Sequence, residues 1–171
     1  MTDDAHEPDS GLSDPTELLL AYLDYYRAAV VRKLDGLTDA ELRTSRLPSG
    51  WTPLELLKHL VYMERRWVRW GFRAEQIPAP WGDLDASGRW HAGPDETRAD
   101  LVAALRAGGA WTREIAAGAD LAARGALGGR FTTEQTPPTL AWILFHVLQE
   151  YARHAGHLDI ARELADGALG E

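Results

Sequence analysis

Four stretches of this chain open with the same signal, and together they dictate helices. In Asp14-Pro15-Thr16-Glu17, Thr52-Pro53-Leu54-Glu55 and Gly93-Pro94-Asp95-Glu96, a residue able to cap precedes proline at the first helical position, and a carboxylate follows two residues later. Thr136-Pro137-Pro138-Thr139 is a variant of the same pattern. Proline suits a first turn because the N–H it lacks would have no intrahelical partner there, while capping oxygens satisfy the neighbouring N–H groups. Behind the starts, apolar residues recur at spacings of three and four, as in Leu56, Leu57, Leu60, Met63 and Trp67. The two-residue alternation of a half-buried strand is missing. The pattern predicts helices ending near Leu34, Arg73, Ala117 and Asp166, the last stopped by Gly167. Four helices of roughly 20 to 30 residues around one core make an all-α four-helix bundle with almost no sheet.

With 171 residues, 45% of them hydrophobic, the chain suffices for one such domain over residues 13–171, preceded by an acidic tail, 1–12, expected to be disordered. The link from Thr38 to Trp51 is moderate. That from Ala74 to Ala92 is long, punctuated by proline, and carries Trp81, Trp90 and His91, as a lid or pocket wall beside a bundle would. A net charge of −8 argues against the basic surface that nucleic acid or an anionic membrane demands, and no stretch approaches eighteen consecutive apolar residues. The acidic start, Met1-Thr-Asp-Asp-Ala-His-Glu-Pro-Asp, lacks the basic and then apolar run of a signal peptide, so the expected location is cytoplasmic and the expected partner a small molecule. Cysteine is absent, so thiol chemistry must use a sulfur brought by a ligand.

Polar residues interrupt the apolar stripe of the last helix. His146, Glu150, His154 and His157 stand at spacings of four, four and three, on one face with Ile143, Ala161 and Leu164. Unpartnered polar groups in a core cost on the order of 1–3 kcal/mol each, and a divalent cation satisfies several at once. A single helix does not easily complete a compact site, and His59, on the flank of the second helix beside Leu56, Met63 and Trp70, can supply a further ligand. Taken alone, His59 reads as a hydrogen-bonded core histidine, and Glu150 with His154 as a solvated face paired with Arg153. Ile143 and Leu164 turn that face inward and favour ligands. Two imidazoles and one carboxylate leave coordination positions open, the layout of a catalytic zinc, nickel, iron or manganese site rather than a closed structural zinc. His146 and His157 stay ambiguous: each could bind metal, orient a ligand imidazole, or serve as acid or base.

The segments Trp51-Thr-Pro-Leu-Glu-Leu-Leu-Lys-His59 and Glu150-Tyr-Ala-Arg-His154-Ala-Gly-His-Leu-Asp together resemble the DinB superfamily of metal-binding four-helix bundles, over nearly the whole chain. There, one histidine of the second helix joins a His-x-x-x-His or Glu-x-x-x-His pair in the last, which the resemblance carries onto His59, Glu150 and His154. The carboxylate form is similar to the metal-binding domain of mycothiol-dependent maleylpyruvate isomerase. It is also similar to an actinobacterial branch with Arg-His-x-Gly-His-x-Asp, matched by Arg153 to Asp159. Many relatives carry glutamine at the position of His157, which speaks against a required ligand there.

The resemblance implies a metal-dependent transferase of low-molecular-weight thiols. A divalent metal (zinc first, with nickel, iron or manganese as alternatives) binds the sulfur of a co-substrate such as mycothiol, and the thiolate attacks a small electrophile. His59, Glu150 and His154 hold the metal in this expectation, His157 or His146 handles a proton or fixes a ligand ring, and Trp81, Trp90 and Arg153 shape the pocket. Two other readings fit the same residues. One is a hydrolase whose nucleophile is bound water; the other is a non-catalytic metal-binding bundle of stress response, able to form a homodimer through an exposed helix face.

Overall fold

In the computed structural model, which describes residues 6–169, the chain forms α1 (Pro15–Leu34), α2 (Asp39–Leu42), α3 (Pro53–Arg65), α4 (Arg98–Ala117) and α5 (Leu140–Asp166). A π-helical segment, Arg66–Phe72, prolongs α3. Among the described residues there are isolated bridges, such as Leu84 with Trp90, but no strand, and no helix is long and apolar enough to cross a membrane. The first five residues of the acidic tail expected over 1–12 lie outside the described residues; further on, Asp9 closes a turn on the N–H groups of Gly11 and Leu12.

Two long helices start where their capping signals stand. Asp14 caps α1 and Thr52 caps α3, with the Glu55 carboxylate accepting from the Thr52 N–H at 2.8 Å. The other two start later than expected. Glu96 does accept from the Gly93 N–H at 2.6 Å, but its carboxylate also pairs with buried Lys58 at 2.7 Å, and Gly93–Glu96 closes as a turn before Thr97 caps α4. In Pro137-Pro138 the second ring disfavours helical backbone at the first, so α5 begins only after Thr139. The single turn of α2, held by a capping box between Thr38 and Glu41, falls in the connection expected to be irregular.

Around the bundle α1 touches α4 and α5, and α3 touches the same two. Lys33 pairs with Asp159 and Arg27 lies over Tyr151, so α1 and α5 run parallel. Asp24 meets Arg113 and Asp35 meets Arg98, which sets α4 antiparallel to α1. Lys58 reaches Glu96 ahead of α4 while Arg69 covers Trp111 towards its end, so α3 and α4 are parallel too. Parallel neighbours need a crossover, and this is why the segment after α3 is long.

At the centre each long helix contributes one polar residue. Glu64 of α3 accepts from Arg27 of α1 (Nε at 3.1 Å, and Nη2), from the Thr112 hydroxyl of α4 and from the Tyr151 hydroxyl of α5 at 2.6 Å. All four are buried, and Leu23, Leu57, Leu60, Leu105 and Leu144 pack as the apolar core. Burial works to lower the Arg27 pKa, but Glu64 more than reverses it and the guanidinium stays charged. Through this one carboxylate all four long helices are joined by hydrogen bonds at a single buried point.

The open end of the π-helical segment receives the loop between α4 and α5. Trp70 O accepts from the Arg130 N–H at 3.1 Å and Phe72 O from the Ala126 N–H at 2.9 Å. A Cβ at Gly129 would stand 2.2 Å from Trp70 O, so only glycine allows this approach. The same loop closes the start of α5, whose Leu140 and Ala141 N–H groups donate to Ala123 O (2.8 Å) and Leu121 O (2.9 Å).

Candidate metal centre

Antiparallel packing of α3 on α5 sets the His59 ring 5.2 Å from that of His154. Spacing by four places Glu150 one turn before His154 on the same face. His59 Nε2 lies 3.7 Å and His154 Nε2 3.1 Å from Glu150 Oε2, and one ligand atom from each of the three side chains falls within 4.8 Å of the others. The three residues named from the sequence as metal ligands are thus brought together, mostly shielded from solvent and drawn from two helices.

Each imidazole is aimed from behind. His59 Nδ1 is 3.1 Å from Asp83 Oδ2, and fully buried Asp83 is gripped by both terminal nitrogens of Arg66. Burial alone would raise the Asp83 pKa, but the bonds from His59 and Arg66 outweigh it and keep the carboxylate ionised. An ionised carboxylate only accepts, so Nδ1 of His59 carries a proton, and Nε2 is the ring nitrogen that faces Glu150. His157 Nδ1 approaches His154 Nδ1 at 3.2 Å; a shared proton there leaves His154 Nε2 directed at the same carboxylate. The Glu150 carboxyl is held far below the usual range, first by His154 and then by His59. For His59 itself burial favours the neutral ring, but Asp83 and Glu150 more than compensate and its pKa is raised.

The two ambiguous histidines flank the triad on opposite sides. His146 Nε2 is 3.7 Å from the other carboxylate oxygen, Oε1, and its ring stacks on Trp142 at 5.2 Å beside Trp67 at 4.5 Å. Burial pushes the His146 pKa down and Arg130 adds to the shift. Burial likewise lowers His157, with the charges of His154 and Arg153 adding.

Of the pocket residues named from the sequence, Trp90 reaches the triad, stacking 4.3 Å from His59 and meeting His154 edge-on at 5.3 Å. Trp81 stands one layer further out, under the Arg66 guanidinium at 4.4 Å and behind Asp83, and Arg153 is exposed. Ile143 and Ala161 are buried as expected, but Leu164 is 50% exposed. Arg162 reaches the carbonyls of Lys33 and Asp35 at the end of α1, and α5 continues past that end. Nothing in the spacing of the sequence points to Asp83 or Arg66. The only available cue is that Asp83 lies between Trp81 and Trp90, in the loop already singled out.

No curated protein gives a significant match to the chain. The family model described as Mycothiol-S-transferase matches residues 18–167, a span that runs from the first turn of α1 to the glycine that ends α5 and contains the whole triad. By that match the chain belongs to the mycothiol S-transferase family of DinB-like helical bundles.

Proposed function

We propose that the protein joins a small electrophile to the sulfur of mycothiol at a divalent metal held by His59, Glu150 and His154. The observation that carries this reading is the convergence of three ligand atoms within 4.8 Å, in a family named for the thiol. The donors suit a cation: an ionised carboxylate oxygen lies between two imidazole nitrogens, one of them aimed by a buried Asp83–Arg66 pair. Two imidazoles and one carboxylate fit zinc first, and also nickel, iron or manganese. Such a cation, when bound, lowers the pKa of a thiol and supplies thiolate at neutral pH, in a chain with no cysteine of its own.

The side chains orient, shield and move one proton. Asp83 fixes the tautomer of His59, and His157 holds the His154 ring from behind. Trp90 on one side, with Trp67 and Trp142 on the other, keeps bulk water from the reacting sulfur. His146, kept neutral by burial, receives the thiol proton at Nε2. The sulfur then forms the S–C bond. In a substitution the leaving group departs with its electron pair; in an addition the neighbouring carbon takes the proton back from His146.

Protein purified without a nickel column and its Glu150→Ala variant are analysed for metal, then incubated with monochlorobimane with and without mycothiol. Stoichiometric metal and thiol-dependent adduct are expected in the first and neither in the second. Equal metal in both removes Glu150 from the ligand set. No thiol-dependent adduct with any electrophile tried, or ester cleavage that needs no thiol, ends the transferase reading.

A further inference from the structure

Beside the triad a cleft of about 370 Å³ opens between residues 49–55 and the 85–91 loop, lined among others by Gly50, Trp51, Glu55, Asp85, Arg89 and Trp90. Trp90 belongs to both places, since it also stacks on His59. Trp51 stands 6.3 Å from Trp90 and 6.1 Å from His157, so the cleft and the triad share a wall.

The loop is built rather than loose. Asp85 Oδ1 accepts from the N–H groups of Ser87 (2.8 Å) and Arg89 (3.0 Å), Asp85 N–H donates to Arg89 O at 2.8 Å, and Gly88 turns at φ +79°. This turn sets Arg89 across Gly50, where a Cβ would stand 2.8 Å from Nη2 and where φ is +83°. On the facing side Glu55 is fixed by its Oε2 on the Thr52 N–H. The bonds that hold these carboxylates use Oδ1 of Asp85 and Oε2 of Glu55, which leaves Oδ2 and Oε1 for a ligand.

Two indoles beside two carboxylates and a guanidinium suit a carbohydrate. Flat aromatic faces take the C–H faces of a ring, while carboxylates and guanidinium take neighbouring hydroxyls in pairs. An apolar electrophile would leave the free carboxylate oxygens and the exposed guanidinium to solvent. The volume falls within the roughly 300–1,000 Å³ of small-molecule sites, enough for two six-membered rings. We infer that this cleft holds the sugar–inositol half of mycothiol, with Arg89, Asp85 and Glu55 as hydroxyl partners and Trp51 and Trp90 as platforms, so that the cysteinyl sulfur falls at the triad. The inference rests on the thiol specificity proposed above.

Glucosaminyl-inositol, the fragment without cysteine, is titrated calorimetrically into the protein, before and after chelation, and into Arg89→Gln and Asp85→Asn. Both positions are exposed, and melting curves check that the variants fold. In parallel, the holoenzyme and variants are assayed with mycothiol and with N-acetylcysteine. The fragment is expected to bind with or without metal, and each variant to weaken it about tenfold, the loss of a charged hydrogen bond. The variants' KM for mycothiol rises more than kcat falls, and their preference for mycothiol over N-acetylcysteine shrinks by a similar factor. Unchanged Kd and KM in both variants, or turnover of mycothiol by a protein that does not bind the fragment, overturns the cleft and leaves the transferase. Fragment binding lost in the variants, with no mycothiol turnover in the wild type, keeps the cleft and ends the transferase.

Discussion

His59 is the residue at which the reading from sequence, the geometry and the pH dependence meet. Its pKa is raised, so the folded protein favours the proton at this ring up to a pH above the ordinary histidine value of about 6.5. A cation competes with that proton for Nε2. Metal retention is therefore expected to be complete at alkaline pH and to fall on acidification, at a pH set jointly by the metal's affinity and by the raised pKa. Dialysis at stepped pH followed by elemental analysis measures this, and an identical release profile in the wild type and in His59→Ala would remove His59 from the ligands. Asp83→Ala removes the carboxylate that aims the ring, with an expected loss of about 10–100-fold in metal affinity by competition with a chromophoric chelator. The proposed ligands are legible because Glu150 and His154 obey helical spacing and His59 sits near a strong helix start. Asp83 is not, because its bond to His59 joins a loop to a helix and no local period encodes such a pairing. Trp81 is singled out by its place in the long loop, and it lies under Arg66, one layer out from the triad.

Among the elements, the four long helices follow from capping chemistry and the three-and-four period, while their exact starts depend on tertiary partners. Glu96 is drawn to Lys58 across the bundle, and α4 begins after it. The π-helical turns of Arg66–Phe72 are invisible in the apolar pattern, since what they accommodate is a glycine loop from another part of the chain. Leu164 fails for a similar reason: the sequence marks a face of α5 but not where α1 stops. The helix-to-helix register rests on Glu64. Glu64→Ala strands the buried Arg27 charge and is expected to destabilise the fold by about 3–5 kcal/mol in urea titration. The pair Glu64→Leu and Arg27→Met made together is expected to cost clearly less than the sum of the single changes. Additive costs would show that the two side chains do not act as a unit.

For the molecule as a whole, the four long helices are legible but their directions are not. Parallel pairing of α1 with α5 and of α3 with α4 appears only in which ion pairs form, although the length of the 74–92 connection already hints at a crossover. Because the proposed ligands come from two helices, a cation binds the folded protein and not the unfolded chain. At a concentration of roughly 100 Kd it adds about 2.7 kcal/mol of stability. For a chain of this size that is a rise of about 5–10 °C in Tm, removed by a chelator and missing from Glu150→Ala. More than half of the chain lies between His59 and Glu150. An ion joining them ties off that length as a disulfide would, yet the clasp opens by chelation or acid rather than by reduction. In the proposed transferase such a closure is proof against reduction by the thiol co-substrate, and it makes the same ion both clasp and binding site.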